Sequence, residues 1–204
     1  THFRGLLSAY LYCPPSYYPQ FTINYNHCLM TTITPNLLLK DTHCPYLSTE
    51  MRTSPLLPWL TAAGSLTAKI EALTARKLQV VPQFEGRKTL SLLEKRQLSL
   101  PPATVQSAWV REAWLYGFAE QDAWIAARSV FPFQSLIGNA RQLANLGTTP
   151  IGYILFARNG AKLTRRWLEH TPSGWQRTSL YDWQGRKFLI SETFLPSFCQ
   201  YITQ

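Results

Sequence analysis

The sequence predicts an α+β fold built on a single antiparallel β-sheet. Strand candidates with period-two alternation come in pairs joined by short connections rich in Gly, Asp and Gln, as in hairpins. Helical segments stand between these hairpins and do not alternate with single strands, which disfavours a doubly wound parallel sheet. The chain has 204 residues, of which 46% are apolar and 13% aromatic, enough for one domain with a sizeable core.

Residues 1–50 differ from the rest of the chain. They are rich in proline and tyrosine and carry no net charge, because Arg4 and Lys40 balance Asp41 and Glu50. We interpret residues 1–50 as an atypical, poorly ordered N-terminal extension and residues 51–204 as the functional domain, with Met51 as a natural first residue. Three of the four cysteines lie in the extension without a CxxC motif, so we expect reduced thiols and a cytoplasmic protein.

The charge of the chain, +9, resides entirely in residues 51–204, which contain 18 basic and 9 acidic residues. Such an excess is typical of proteins that bind nucleic acid, an anionic membrane or a small anion. The basic residues form only short pairs, and no nucleic-acid-binding motif accompanies them. No apolar run of about 18 residues is present. We therefore expect a small anionic ligand, with neither nucleic acid nor stable membrane insertion.

The first half of this domain mixes helices and strands. A helix over 55–62 ends before Gly64, and Ser65 can cap a second helix from Leu66 to about Thr74. Residues 77–84 form a probable strand in which Pro82 indicates an edge or a bulge. Gly86 is predicted to open a turn, residues 89–93 to form another strand, and residues 98–103 to form a loop.

The second half contains the two clearest hairpins. The predicted elements, in order, are strands over 109–116 and 123–131, a helix over 136–146 that stops at Gly147, a short helix to about Phe156, a strand over 162–169, and a final hairpin of strands 175–182 and 187–195. Backbone N–H groups of the turn over 149–152 could hold a carboxylate, although a plain corner between two helices explains this turn equally well.

Three charged side chains fall on faces that are otherwise apolar. Alternation places Arg111 with Trp109 and Leu115, Arg128 on the face that includes Val130, and Glu192 with Ile190 and Phe194. A buried charge is rare unless it is paired. A structural ion pair is one explanation, but two cations and one anion leave a positive charge unmatched. A carboxylate-bearing ligand would complete the set.

Common catalytic motifs are missing from the sequence. It contains no Ser-His-Asp pattern, phosphate-binding loop, dinucleotide GxGxxG or metal-ligand spacing. His170 is the sole histidine outside residues 1–50, which disfavours histidine acid–base chemistry. A cofactor-free reaction on a small anion is consistent with what remains.

Four sequence blocks resemble the chorismate lyase family. They are WVRE at 109–112, WIAARSVFP at 124–132, LGTTPIGY at 146–153 and SETFLP at 191–196. The resemblance runs from about Pro58 to Pro196. It implies a monomer whose single antiparallel sheet and helical flaps enclose an internal ligand cavity. It also implies splitting of chorismate into 4-hydroxybenzoate and pyruvate, at the start of ubiquinone or plastoquinone ring synthesis, with no cofactor.

The resemblance also implies the roles of five residues. Arg111 matches the arginine that holds the ring carboxylate, and Glu192 matches the glutamate that meets the 4-hydroxyl, so these two are the predicted catalytic residues. Leu66 and Ile151 match positions that contact ligand through the backbone, and Arg128 matches an arginine that we assign to the enolpyruvyl carboxylate. Ala127 departs from the family, in which a glycine often precedes this arginine.

Two questions stay open at the level of sequence. Glu192 can act as a base or only as a hydrogen-bond partner of the substrate. The alternative function is a non-catalytic small-molecule-sensing domain of the same fold, as attached to some bacterial transcription regulators. That alternative requires a preceding winged-helix domain, and residues 1–50 are too short, uncharged and proline-rich to form one.

Overall fold

The computed structural model describes residues 42–43, 49–118, 122–157 and 160–204. Within these residues the chain forms one sheet of seven strands in the order β1-β5-β6-β7-β4-β3-β2. The strands are β1 (Thr42–His43), β2 (Gln79–Thr89), β3 (Ser107–Tyr116), β4 (Ile125–Pro132), β5 (Lys162–Thr171), β6 (Gly174–Trp183) and β7 (Arg186–Phe194). Every neighbouring pair is antiparallel except β1, which runs parallel to β5. The predicted α+β class with a single antiparallel sheet is confirmed.

Short helices connect the strands. They are α1 (Thr49–Thr53), α2 (Leu57–Leu60), α3 (Leu66–Thr74), α4 (Leu92–Gln97), α5 (Gly152–Leu155) and α6 (Pro196–Ile202), with two 3₁₀ helices at Phe133–Ser135 and Gly138–Ala144. Ser65 caps α3 as predicted, since its side chain accepts a hydrogen bond from Ala68 N. Among the described residues, no helix has both the length and the apolar character needed to cross a membrane.

The region between β2 and β3 differs from the prediction. Gly86 lies inside β2, which continues to Thr89, so the predicted turn and separate strand do not form there. Residues 92–97 form α4 because Ser91 and Glu94 make a capping box, in which each side chain binds the backbone N–H of the other residue. The predicted helix over 136–146 is a 3₁₀ segment, which ends before Gly147 at a φ of +51°.

The predicted extension falls mostly outside the described residues, which before Met51 comprise only 42–43 and 49–50. Thr42 and His43 pair with Arg166 and Trp167 of β5, so the described part of this segment adds a short strand to the sheet.

The two faces of the sheet have different coverings. We call the face that carries Arg111 the inner face, and the opposite face, which carries Glu112, the outer face. Residues directly opposite on neighbouring strands share a face, so the strand register extends the inner face from Arg111 to Ser129, Ile190, Ser179 and Arg166.

Two helical segments cover the inner face. We call residues 57–74, with α2 and α3, the first flap, and residues 138–156, with the 3₁₀ helix and α5, the second flap. The first flap packs in an apolar cluster that includes Leu60, Ile70 and Ile125, and the second in one that includes Leu143, Leu155, Phe131 and Phe188. The outer face is covered in part by the α4 region, through a cluster that includes Leu98, Val110 and Val130.

Candidate active site

Arg111 lies on the inner face of β3 with only 3% of its surface exposed. Its Nε donates to Glu85 Oε1 at 2.9 Å, and its Nη2 donates to the carbonyl oxygens of Gly147 at 2.7 Å and Thr149 at 3.3 Å. Burial lowers the pKa of Arg111, and the charge of Glu85 acts in the opposite direction. Arg111 therefore links the sheet to the second flap while it remains paired with a carboxylate.

Glu192 lies on the inner face of β7 and is 9% exposed. Its Oε2 accepts a hydrogen bond of 2.6 Å from Nε of Arg177, a residue of β6 that is only 1% exposed. Arg177 Nη1 also donates to the carbonyl oxygen of Trp59 at 2.6 Å. Arg177 therefore fixes one carboxylate oxygen of Glu192 and holds the first flap, so a ligand would meet the other oxygen, Oε1.

A third buried arginine, Arg166, lies on the next strand, β5, and is 1% exposed. Its Nε donates to Ser179 Oγ at 3.0 Å, and its Nη1 donates to the carbonyl oxygen of Ala62 at 2.7 Å. Burial, and then the like charge of Arg177, lowers the pKa of Arg166. Arg166 and Arg177 thus hold the first flap together, and their charges repel each other.

Small side chains separate Arg111 from Glu192. Ala127 pairs with Ala113 on one side and with Glu192 on the other, and Ser129 pairs with Arg111. We call Ala113, Ala127 and Ser129 the floor of the site, and we call the floor together with Glu85, Arg111, Arg166, Arg177 and Glu192 the inner layer. One strand, β4, lies between β3 and β7, so Arg111 and Glu192 stand about 9.5 Å apart in the direction across the strands. The side chains of the floor are small, so they occupy little of the space between the two charged residues.

The two flap positions predicted to contact ligand come together above this layer. Leu66 is the first residue of α3, and Ile151 immediately precedes α5. Gly152 approaches the first flap so closely that an added Cβ would lie 2.5 Å from Ser65 Oγ and 2.6 Å from Thr67 Oγ1. The first N–H groups of a helix have no partner within that helix. The flap ends therefore offer N–H donors near one another, and their role toward a ligand stays a prediction.

Arg128 is not part of this layer, and the prediction that it shares an enclosed space with Arg111 and Glu192 is wrong. Arg128 pairs in register with Glu112 and therefore lies on the outer face. It binds Glu112 and, at 2.9 Å, Glu94 of α4, and 32% of its side chain is exposed. The physical reason is that β4 has apolar residues on both faces. An apolar neighbour such as Val130 on the same face as Arg128 therefore does not show which face is the inner one.

Three residues of the inner layer were not predicted from the sequence, namely Glu85, Arg166 and Arg177. The signal for Arg177 was available, because alternation along β6 places it with Trp175, Ser179 and Tyr181. Arg166 was harder to find because a register shift between Leu163 and Arg165 changes the phase of β5.

The charges of the inner layer do not balance. Arg111, Arg166 and Arg177 face Glu85 and Glu192, which leaves one positive charge over in this set. Two buried donors, Arg166 Nη2 and Trp109 Nε1, have no hydrogen-bond partner within the part of the chain that the structure describes. Because buried donors are nearly always satisfied, an excess of cations and free N–H groups suits an anionic, acceptor-rich ligand. No cluster of three or more His, Cys, Asp or Glu suited to a metal ion occurs among the described residues.

Comparison with known proteins gives a consistent match. The protein named probable chorismate pyruvate-lyase from Psychrobacter cryohalolentis is 48% identical over 161 residues, which cover 78% of this chain and 95% of that protein. A protein of the same name from Acinetobacter baumannii is 38% identical over 161 residues, covering 78% and 93%. Among solved structures, the effector domain of PhnF from Mycobacterium smegmatis has a TM-score of 0.47 at 11% identity, over 65% of this chain and 89% of that one.

The family profile described as chorismate lyase matches residues 45–202, which include the whole of the inner layer and both flaps. With this match and relatives of up to 49% identity, the chain belongs to the chorismate lyase family and is a lyase.

Proposed function

We propose that this protein removes pyruvate from chorismate to give 4-hydroxybenzoate, without a metal or organic cofactor. The observation that carries the proposal is the inner layer, in which Arg111 and Glu192 lie on the same face of the sheet, on either side of the small residues of β4. A planar ring with a carboxylate at one end and a hydroxyl at the other is complementary to that arrangement. The family membership of the chain supports the same substrate.

The geometry supports a set of contacts with the ring. Arg111 holds the ring carboxylate through Nη1 by a charge-assisted hydrogen bond, since Nε already binds Glu85 and Nη2 binds the carbonyl oxygens of Gly147 and Thr149. Glu192 accepts a hydrogen bond from the 4-hydroxyl on Oε1, since Arg177 binds Oε2. The backbone N–H groups of Leu66 and Ile151, at the ends of the two flaps, complete the contacts. The flaps exclude water, which strengthens each of these polar interactions.

In the proposed reaction the bonds that break and form belong mostly to the substrate itself. The ring C3–O bond breaks, the hydrogen on ring C4 is lost, and a new C3–C4 double bond makes the ring aromatic. The ether oxygen becomes the keto oxygen of pyruvate, whose methylene carbon gains a hydrogen to become the methyl group. The protein contributes mainly by folding the substrate into the reactive geometry and by stabilising its two carboxylates with fixed positive charges.

The hydrogen on C4 can follow two routes, and these leave different isotopic products. Direct transfer to the methylene carbon puts no solvent hydrogen into the pyruvate methyl group. Transfer through Glu192 acting as a base allows exchange with water. Turnover in deuterium oxide, with pyruvate trapped at once by reduction, distinguishes them: a methyl group free of deuterium assigns Glu192 the role of hydrogen-bond partner, and one deuterium assigns it the role of base.

The family resemblance supports a proposal about the cellular setting. We propose that the protein works as a monomer in the cytoplasm and supplies 4-hydroxybenzoate to ubiquinone or plastoquinone synthesis. We further propose that residues 51–204 are the catalytic domain. A protein that begins at Met51 should then retain full activity, and loss of activity would assign a role to the preceding segment, part of which pairs with β5.

The test of the proposed function is direct. Purified protein is mixed with chorismate in the presence of a metal chelator, and 4-hydroxybenzoate is followed by its absorbance, with the Arg111→Ala variant as control. Formation of equal amounts of 4-hydroxybenzoate and pyruvate by the unaltered protein is the expected result. Binding of chorismate without turnover would contradict the proposal and favour the alternative function, a sensing domain.

A further inference from the structure

Arg166 has one guanidinium nitrogen, Nη2, that forms no hydrogen bond of normal geometry with the described part of the chain, although the phenol of Tyr181 interacts with the guanidinium. Its Nε and Nη1 bind Ser179 and the first flap, and the residue is only 1% exposed. A buried, unsatisfied donor on a charged group is expensive, with a penalty that exceeds the gain from an ordinary hydrogen bond. Such a group is kept in a fold most readily when an acceptor from outside the chain completes it.

The surroundings of Arg166 are strongly positive. Arg166 Nη1 and Arg177 Nη1 both approach the carbonyl oxygen of Ala62, at 2.7 Å and 3.4 Å, so the two guanidiniums are neighbours. Lys69 of the first flap lies over the ring of Trp59, and burial followed by the charge of Arg177 lowers its pKa. Among the described residues, Glu192 is the one carboxylate within ion-pair distance of any of these three cations, and it is bound to Arg177. This end of the inner layer is therefore suited to one more carboxylate.

The order of charged residues across the sheet indicates which carboxylate of the substrate would lie here. From β3 to β5 the inner face presents Arg111, the small floor, Glu192, Arg177 and Arg166 on successive strands. In chorismate the ring carboxylate lies opposite the 4-hydroxyl, and the enolpyruvyl ether leaves the adjacent carbon to one side of that axis. In a ring whose 4-hydroxyl lies on Glu192, the ether carbon is at the β7 end of the ring, which brings β6 and β5 within reach of the second carboxylate.

We propose that Arg166 binds the enolpyruvyl carboxylate of the substrate through Nη2, with Arg177 adjacent as the residue that positions Glu192. This inference rests on the proposed function and deepens it, because it replaces Arg128 with an inner-face arginine as the second anchor. It also links substrate binding to closure of the first flap, since the same guanidinium binds the carbonyl oxygen of Ala62. The product 4-hydroxybenzoate lacks this carboxylate and makes no use of the contact.

The loss of that contact in the product provides the test. In the Arg166→Gln variant we expect kcat/KM for chorismate to fall about 30-fold or more, as for a lost charge-assisted contact, chiefly through KM. We expect the affinity for 4-hydroxybenzoate to fall at least about tenfold less than kcat/KM for chorismate, because both ligands lie under the flap that Arg166 holds and only chorismate carries the second carboxylate. Arg166→Lys should recover part of the loss. Arg165→Gln, an exposed arginine on the same strand, is the matched control and should change neither value.

A structural role for Arg166, limited to holding the first flap, predicts a different pattern. It would weaken chorismate and 4-hydroxybenzoate binding by the same factor, and that result would overturn the inference. Unchanged chorismate kinetics in Arg166→Gln would overturn it as well.

A second measurement uses the unaltered protein and does not depend on folding of a variant. The ligands are 3-(carboxymethoxy)-4-hydroxybenzoate and its uncharged side-chain carboxamide, which have nearly the same shape. We expect the dianion to bind at least about tenfold tighter, as for a charge-assisted contact, and equal affinities would overturn the inference. The proposed function fails separately, if the unaltered protein forms no 4-hydroxybenzoate from chorismate.

Discussion

The two faces of the sheet both carry arginine–glutamate pairs, yet they use them differently. On the outer face, Arg128 and Lys88 meet Glu94 and Glu112, two cations with two anions, in partly exposed positions. On the inner face, three buried arginines meet two carboxylates, and each arginine also binds a backbone carbonyl of a flap. The outer pairs fasten α4 to the sheet. The inner set is left positive and is tied to the segments that cover it.

This contrast shows that buried ion pairs predict a ligand mainly when they leave a charge or a hydrogen-bond donor without a partner. The outer network is complete, so it provides modest stability and predicts no ligand. Within the described residues, the inner layer has an excess charge, two donors without a hydrogen-bond partner, and guanidiniums that hold carbonyl groups of both flaps. If the proposed substrate binds there, its carboxylates would also influence how firmly the flaps are closed, and substrate binding would be coupled to the exclusion of water.

The largest effect expected concerns stability and sharpens the comparison at Arg177. Arg177→Met leaves Glu192 buried without its partner, and removal of one member of a buried pair costs about 3–5 kcal/mol. Urea unfolding should show this decrease in the free energy of unfolding. The double variant with Glu192→Leu should recover much of it. If Arg177→Met is as stable as the unaltered protein, breaking the inner pair costs no more free energy of unfolding than breaking an outer pair.

The next effect concerns activity at Arg111. Arg111→Ala should lower kcat/KM for chorismate about 100-fold or more, in line with loss of a charge-assisted contact of roughly 3 kcal/mol. Steady-state kinetics on chorismate measures it, together with the Kd of 4-hydroxybenzoate, which should rise as well because the product keeps the ring carboxylate. Near-normal turnover would remove Arg111 from the substrate site.

A smaller effect tests whether the flaps meet where the structure places them. Gly152→Ala puts a Cβ against Ser65 and Thr67, and overpacking of this kind costs about 1–3 kcal/mol. Thermal unfolding and chorismate kinetics should both show the damage. A second substitution, Thr67→Ala, should relieve part of the clash. If Gly152→Ala changes nothing, the flap ends do not touch during turnover.

The smallest effect is expected on the outer face. Arg128→Gln should lower the free energy of unfolding by about 1 kcal/mol or less, as for partly exposed pairs, and leave kcat/KM for chorismate within about twofold. Steady-state kinetics and urea unfolding at low and high salt check both values. A large rise in KM would return Arg128 to the substrate site, as the sequence predicted, and would remove the contrast between the faces.

The loss of stability in Arg128→Gln should depend on pH, and the pKa of Glu112 fixes the direction of that dependence. Burial alone would raise the pKa of Glu112, but the hydrogen bond from Lys88 and the charge of Arg128 outweigh it and lower that pKa. A carboxylate with a lowered pKa contributes stability above its unfolded value, about 4.3, and loses that contribution as the pH falls through the folded value. The stability difference between Arg128→Gln and the unaltered protein should therefore shrink in acid.

Local patterns predicted much of this molecule. The alternation of β3 and β7 placed Arg111 and Glu192 on a buried face, and the blocks at 146–153 and 191–196 indicated the family. The capping box of α4 can be recognised in the same way, from Ser91 and Glu94, although the prediction places Ser91 in a strand over 89–93.

What could not be predicted depends on the third dimension. β4 is apolar on both faces, because α4 covers one and the flaps cover the other, so alternation alone could not place Arg128. The bulge in β5 concealed Arg166. The contacts from buried guanidiniums to Ala62, Trp59 and Gly147 join segments that are far apart in the chain, and no local pattern indicates them.

The central claim is that the inner layer binds the ring compound, and a crystal structure with 4-hydroxybenzoate tests it most directly. The account predicts the ring above Ala127, its carboxylate on Arg111 and its hydroxyl on Glu192, beneath the two flaps. Product bound instead on the outer face, in the open groove beside Trp114 and Thr193, would contradict it.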